Sequence, residues 1–86
     1  MSNKFDIGFT GATIGADALG IDFTPYLRRH HSGDWGIVPH QDKLANNRAL
    51  KHGDRLISSY QTPKGKIWII TEADRSATTV LLPSEY

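Results

Sequence analysis

Three runs in the last third of the chain, Arg55–Tyr60, Lys66–Glu72 and Ala77–Leu82, combine β-branched and aromatic residues and are separated by short polar breaks. Runs of this kind predict strands, and breaks this short predict an antiparallel meander. Thr62-Pro63-Lys64-Gly65 has proline second and glycine fourth, which makes neighbours of the first two runs. Ala73–Ser76 supplies the second reversal. In the middle run Ile67, Ile69 and Thr71 share one face and Trp68 and Ile70 the other, so both faces carry apolar weight, as in a central strand. Trp68, flanked by isoleucines, is expected in the core. Upstream, Phe5, Ile7 and Phe9 alternate with Asp6, Gly8 and Thr10, the pattern of a short fourth strand with one buried face.

Between these strands the pattern changes to helical signals. Thr13 is a cap for a short helix that runs toward Leu19 and stops at Gly20. Thr24-Pro25 starts a second helix, with threonine as cap and proline in the first turn, covering Pro25–His31 and ending near Gly33. The longest helix opens at Val38-Pro39-His40-Gln41-Asp42 and stops at Gly53, with Arg48, Lys51 and His52 at the end that the helix dipole favours. At ~100° per residue, Leu44, Ala45, Ala49 and Leu50 form a broad apolar arc that includes Asn46 and leaves Asn47 outside. A buried amide must be hydrogen-bonded, so Asn46 is expected to tie this helix to backbone in the preceding loop or the sheet. The expected fold is a single α+β domain over residues 1–86: a three- to four-stranded, mainly antiparallel sheet with two or three helices packed on one face.

Composition narrows the function classes. A chain of 86 residues supports one core. Without cysteine it has no disulfide framework and no thiolate metal site, and the cytoplasm is the expected compartment. The polar start, Met1-Ser2-Asn3-Lys4, does not read as a signal peptide, and no apolar run approaches the ~20 residues of a membrane span. The net charge is +1, but residues 28–66 hold eight basic side chains against three acidic ones, while both flanks are acidic. That central basic belt can meet phosphate or an acidic protein, although only Arg28 and Arg29 adjoin one another. The four histidines, His30, His31, His40 and His52, show no i, i+4 pair, and neither a metal nor a cofactor is expected.

Two segments carry candidate chemistry. In the first, His30 at a helix end precedes a glycine turn that presents Asp34 next to Trp35, a geometry open to a general acid/base pair. The same residues also read as architecture, with Gly33 ending the helix, Asp34 bonding nearby amides, His30 at the favourable helix end and Trp35 in the core. In the second, Glu72, Asp74 and Arg75 crowd a hairpin tip suited to phosphate, a metal or a charged partner, or to an Asx turn in which Glu72 pairs with Arg75 or Lys66. Arg28, Arg29, His30, Asp34, Glu72, Asp74 and Arg75 together make the expected partner-binding rim. A meander edge, Arg55–Tyr60 or Ala77–Leu82, is open to pairing with a second copy or a partner strand.

Arg29–Gly36, Asp42–Gly53 and Trp68–Tyr86 taken together resemble short plasmid-related proteins carried on bacterial plasmids and integrative elements, at compatible spacing across residues 5–86. Members of that family bear names such as "plasmid-related protein" or "type I restriction endonuclease subunit M". This chain departs from the family at Asn47, where an acid is usual, and at Pro39-His40. No methyltransferase activity follows from the second name, since the chain has no glycine-rich phosphate turn after a strand and no Asn/Asp-Pro-Pro-aromatic motif. The resemblance carries no established activity, but the genomic company it implies points to a non-enzymatic, protein-binding accessory of a mobile element, most concretely an inhibitor or modulator of a host nuclease-based defence with a host, phage or plasmid protein as partner. The alternatives are a nucleic-acid-binding regulator using the basic belt and a small nuclease or hydrolase using His30, Asp34 and Glu72.

Overall fold

The computed structural model describes residues 4–86; the polar start at Met1, Ser2 and Asn3 lies outside the described residues. The chain runs β1 (Phe9–Ala12), α1 (Ile14–Asp17), α2 (Thr24–His31), α3 (His40–His52), β2 (Leu56–Thr62), β3 (Gly65–Thr71), β4 (Ala77–Leu81) and a final 3-10 turn at Pro83–Glu85. The four strands form one sheet in the order β1-β4-β3-β2, antiparallel throughout the meander and parallel only where β1 joins β4. The fold is α+β, as the hydrophobic pattern predicts. Among the described residues no helix is long and apolar enough to cross a membrane.

Register divides the sheet into two unlike faces. Tyr60, Ile67, Ile69 and Val80 project to one side, where they are buried together with Ala16 under Leu19, Phe23, Tyr26 and Leu27 of the first two helices and their connection. Trp68, Ile57, Thr79 and Leu81 project to the other side, which is covered only in part. The third helix lies along the outer edge of β2, where Ala49, Leu56 and Trp35 form a second cluster with Phe5, Val38 and Leu50. Two helices therefore cover one face and the third seals an edge.

Caps explain the short elements. Thr13 caps α1 as expected, accepting from the Ala16 amide, and Glu85 reaches back to accept from the Thr13 hydroxyl at 2.6 Å and the Gly15 amide at 3.2 Å. Gly15 makes room for this contact, since a Cβ there would sit 2.6 Å from the Glu85 carboxylate. Thr24 lies inside α2 and is not its cap; the Asp22 carboxylate accepts from the Thr24 amide instead. Helix α3 stops at Gly53 in the left-handed region.

Three expectations are corrected. The alternation at Phe5, Ile7 and Phe9 does not mark a strand with one buried face: the strand starts at Phe9, whose ring is 88% exposed, while Phe5 packs among aromatic rings. Leu44 and Ala45 of the expected apolar arc are exposed, because α3 sits against an edge that only Asn46, Ala49 and Leu50 reach. Neither proposed meander edge is open, since Ala77–Leu81 pairs with β1 and the outer side of β2 is occupied. There the Asn46 side chain bonds both backbone groups of Ile57, and the next outward residue, Ser59, donates to the Trp35 carbonyl and accepts from Ile37. Gly36 permits this approach, since its φ is +76° and a Cβ would lie 2.0 Å from the Ser59 carbonyl oxygen.

Candidate functional site

The expected rim residues are set in place by caps and turns, and most are already engaged. His30 is fully buried, with Nδ1 2.6 Å from Ser58 Oγ and Nε2 2.8 Å from Thr71 Oγ1. Thr71 lies 2.8 Å from Thr78, whose hydroxyl donates to the Ile7 carbonyl at 2.7 Å. That carbonyl can only accept, which orients the whole chain: Thr78 accepts from Thr71, Thr71 accepts from Nε2–H of His30, and Nδ1 accepts from Ser58. The chain fixes Nε2 as the protonated nitrogen, and burial, which pushes the pKa down to about 3, keeps the imidazole neutral so that Nδ1 is the acceptor. Ser58 and His30 have the distance of a nucleophile and its base, but both are sealed from solvent, so the pair ties α2 to the sheet.

Asp34 does not meet His30. Its carboxylate accepts from Arg29 at 2.8 Å and from the Gly36 amide at 3.2 Å, and the Arg29 hydrogen bond holds it below the usual carboxylate range. Arg29 also stacks over the Tyr60 ring at 4.6 Å, and the Tyr60 hydroxyl donates to the Asp34 carbonyl. Burial raises the Tyr60 pKa to about 12, which keeps it a donor. Arg28 is exposed. Trp35 is buried as expected, with its indole N–H donating to Asn47.

At the β3–β4 turn, Asp74 makes the expected Asx bond to the Ser76 amide. Glu72 pairs with Arg55 at 3.2 Å and not with Arg75 or Lys66. Arg75 folds inward: its guanidinium donates to the carbonyls of Ala49, Asp54, Glu72 and Ala73, clamping the turn to the end of α3. It also lies over the Phe5 ring, at 5.8 Å. His30 and Arg75 therefore flank Phe5 from two sides, yet His30, Asp34 and Glu72 share no cleft and form no acid/base set. Among the described residues no group of three or more histidine, aspartate or glutamate side chains is placed to hold a metal ion.

An open site lies elsewhere. Between α3 and the less covered sheet face runs a groove of about 790 Å³. Ile37, Val38 and Pro39 of the preceding loop line it together with Ala45 and Asn46 of the helix and Ile57 and Trp68 of the sheet face. Tyr86 folds back to meet Trp68 edge-on at 5.3 Å. Arg48, His52, Arg55 and Lys66 line its sides against Asp42 and Asp54, so the groove is apolar at its base and mildly basic at its rim. Trp68 is half-buried on this sheet face and not in the core. Lys66, exposed two residues before Trp68 on the same strand face, is the one sequence sign that this side meets solvent, and the flanking isoleucines mask it.

Comparison with protein-family models, with curated proteins and with solved structures finds no match for this chain.

Proposed function

We propose that this chain is a small non-enzymatic protein-binding accessory of a mobile genetic element, acting as an inhibitor of a host nuclease-based defence. The binding half of this reading rests on one observation, the aromatic-floored groove with a basic rim. The mobile-element half rests on the resemblance of Arg29–Gly36, Asp42–Gly53 and Trp68–Tyr86 to plasmid-related proteins. The occupant that fits the groove is a segment of a partner protein with an apolar anchor flanked by acidic side chains: the floor accepts the anchor and Arg48 and Lys66 meet the acids. Buried aromatic anchors and arginines carry most interface energy, and this groove offers both types. The side chains that would perform hydrolysis are engaged in internal bonds, which favours docking over chemistry.

Tagged chain offered to extracts of defended hosts tests the reading when wild type is compared with Ala45→Arg. That substitution fills the groove from an exposed helix position. A nuclease subunit retained by wild type and lost from the variant supports the proposal; equal retention by both removes the groove from it. Duplex DNA provides the second arm. Binding whose log affinity falls steeply with log salt would replace this reading with the nucleic-acid-binding regulator.

A further inference from the structure

The two outer edges of the sheet are treated in opposite ways. At β2 the outward backbone of Ile57 and Ser59 is occupied, by Asn46 and by residues 35–37. At β1 all four residues are exposed. The Phe9 amide bonds the Ser76 carbonyl and the Thr13 amide bonds the Val80 carbonyl, so the odd residues face β4 and Thr10 and Ala12 turn their backbone groups outward. Proteins protect such edges with charge, proline or a covering element. Ile7–Ala16 contains neither charge nor proline, and two of its three large apolar side chains, Phe9 and Ile14, are 88% and 91% exposed.

We propose that β1 is a self-association edge, on which a second copy of this chain pairs antiparallel through its own β1 to join two four-stranded sheets into one. Two features of the strand favour its own copy as occupant. The first is steric self-complementarity. With Thr10 opposite Thr10 of the second copy on a two-fold axis, Phe9 stands across from Gly11 in the closer, non-hydrogen-bonded type of pair. A Cβ at Gly11 would meet nothing within 4 Å, so the space beside it is free for an aromatic ring, and each copy supplies one ring and one notch. The second is charge. A neutral ten-residue run in a chain of net charge +1 places no like charges across the axis, whereas an acidic or basic partner strand finds no counter-charge there. A contact of four residues and one aromatic ring per copy is smaller than a stable interface of ~1,200 Å² or more, so the dimer is reversible and concentration-dependent.

Sedimentation equilibrium of the full chain from micromolar to millimolar concentration reads this directly. Wild type is expected to move toward twice the chain mass as concentration rises, with the Thr10 and Ala12 amides gaining hydrogen-exchange protection over the same range. Phe9→Lys, at an exposed position, and Thr10→Pro, at an outward amide, are each expected to weaken association by about tenfold or more with an unchanged far-UV spectrum. Ala45→Arg, in the groove, is expected to dimerise like wild type. A wild type that stays monomeric at millimolar concentration overturns the proposal. So does a dimer that Ala45→Arg abolishes and Phe9→Lys leaves intact.

Discussion

Asn46 pairs with Ile57 as a neighbouring strand would: its side-chain nitrogen donates to the Ile57 carbonyl at 2.8 Å and its oxygen accepts from the Ile57 amide at 3.2 Å. One buried amide on α3 thus shares with residues 35–37 the closing of the β2 edge against strand addition.

Removing this amide leaves two backbone groups of a half-buried residue without partners. Asn46→Ala is expected to destabilise the fold by roughly 2–4 kcal/mol, from the cost of unsatisfied buried polar groups. Urea unfolding measures it. The Ile57 amide should also exchange faster in this variant while the amides shared by β3 and β4 remain protected.

Arg75 holds a backbone conformation with φ of +62° and four carbonyls at once. Arg75→Ala loses the clamp and keeps the backbone strain, whereas Arg75→Gly loses the clamp and relieves it. Both are expected to be less stable than wild type, with glycine the better of the two by about 1 kcal/mol. Lysine is not expected to rescue, because a single ammonium cannot span carbonyls on both elements. Thermal midpoints of the three variants check the order.

The buried His30 makes stability depend on pH. Its folded pKa of about 3 lies below its unfolded value of 6.5, so the unfolded chain binds the extra proton between those values. The contribution is full above pH 6.5 and is lost as pH falls toward 3, to a total of several kcal/mol, on the order of 1.4 for each pH unit between the two values. The carboxylates held low by their hydrogen bonds, Asp22, Asp34, Asp74 and Glu85, act only at the acid end of this range and are exposed, so they add little. Urea midpoints followed from pH 7 to pH 4 should fall for wild type and stay much flatter for His30→Gln.

Ala45 is exposed on the groove wall, and arginine is a good helix former. Ala45→Arg is therefore expected to change stability by no more than about 0.5 kcal/mol while blocking the groove. Equal unfolding curves together with lost partner capture are the expected pair of results.

The three meander strands, the helices and the Asn46 tie were legible in the sequence because each follows from short-range pattern: alternation, caps, and the 3.6-residue turn. Two kinds of feature were not legible. Phe5 and Phe9 have the same local pattern, and only the docking of Phe5 against His30 and Trp35 decides which of them is buried. Arg75 reads as a surface charge because an inward-folded guanidinium depends on carbonyls from α3, 26 residues away in the chain at Ala49. The open groove was hidden for the same reason. Trp68 has the neighbours of a core residue, and its exposure follows from α3 standing at the sheet edge and not over the face.

The most direct test of the account is the transformation efficiency of a targeted plasmid into hosts with nuclease-based defence that express wild type, His30→Gln or Ala45→Arg, each confirmed as folded. Docking through the groove predicts that wild type and His30→Gln restore transformation and that Ala45→Arg does not. Restoration by Ala45→Arg together with failure of His30→Gln would contradict it.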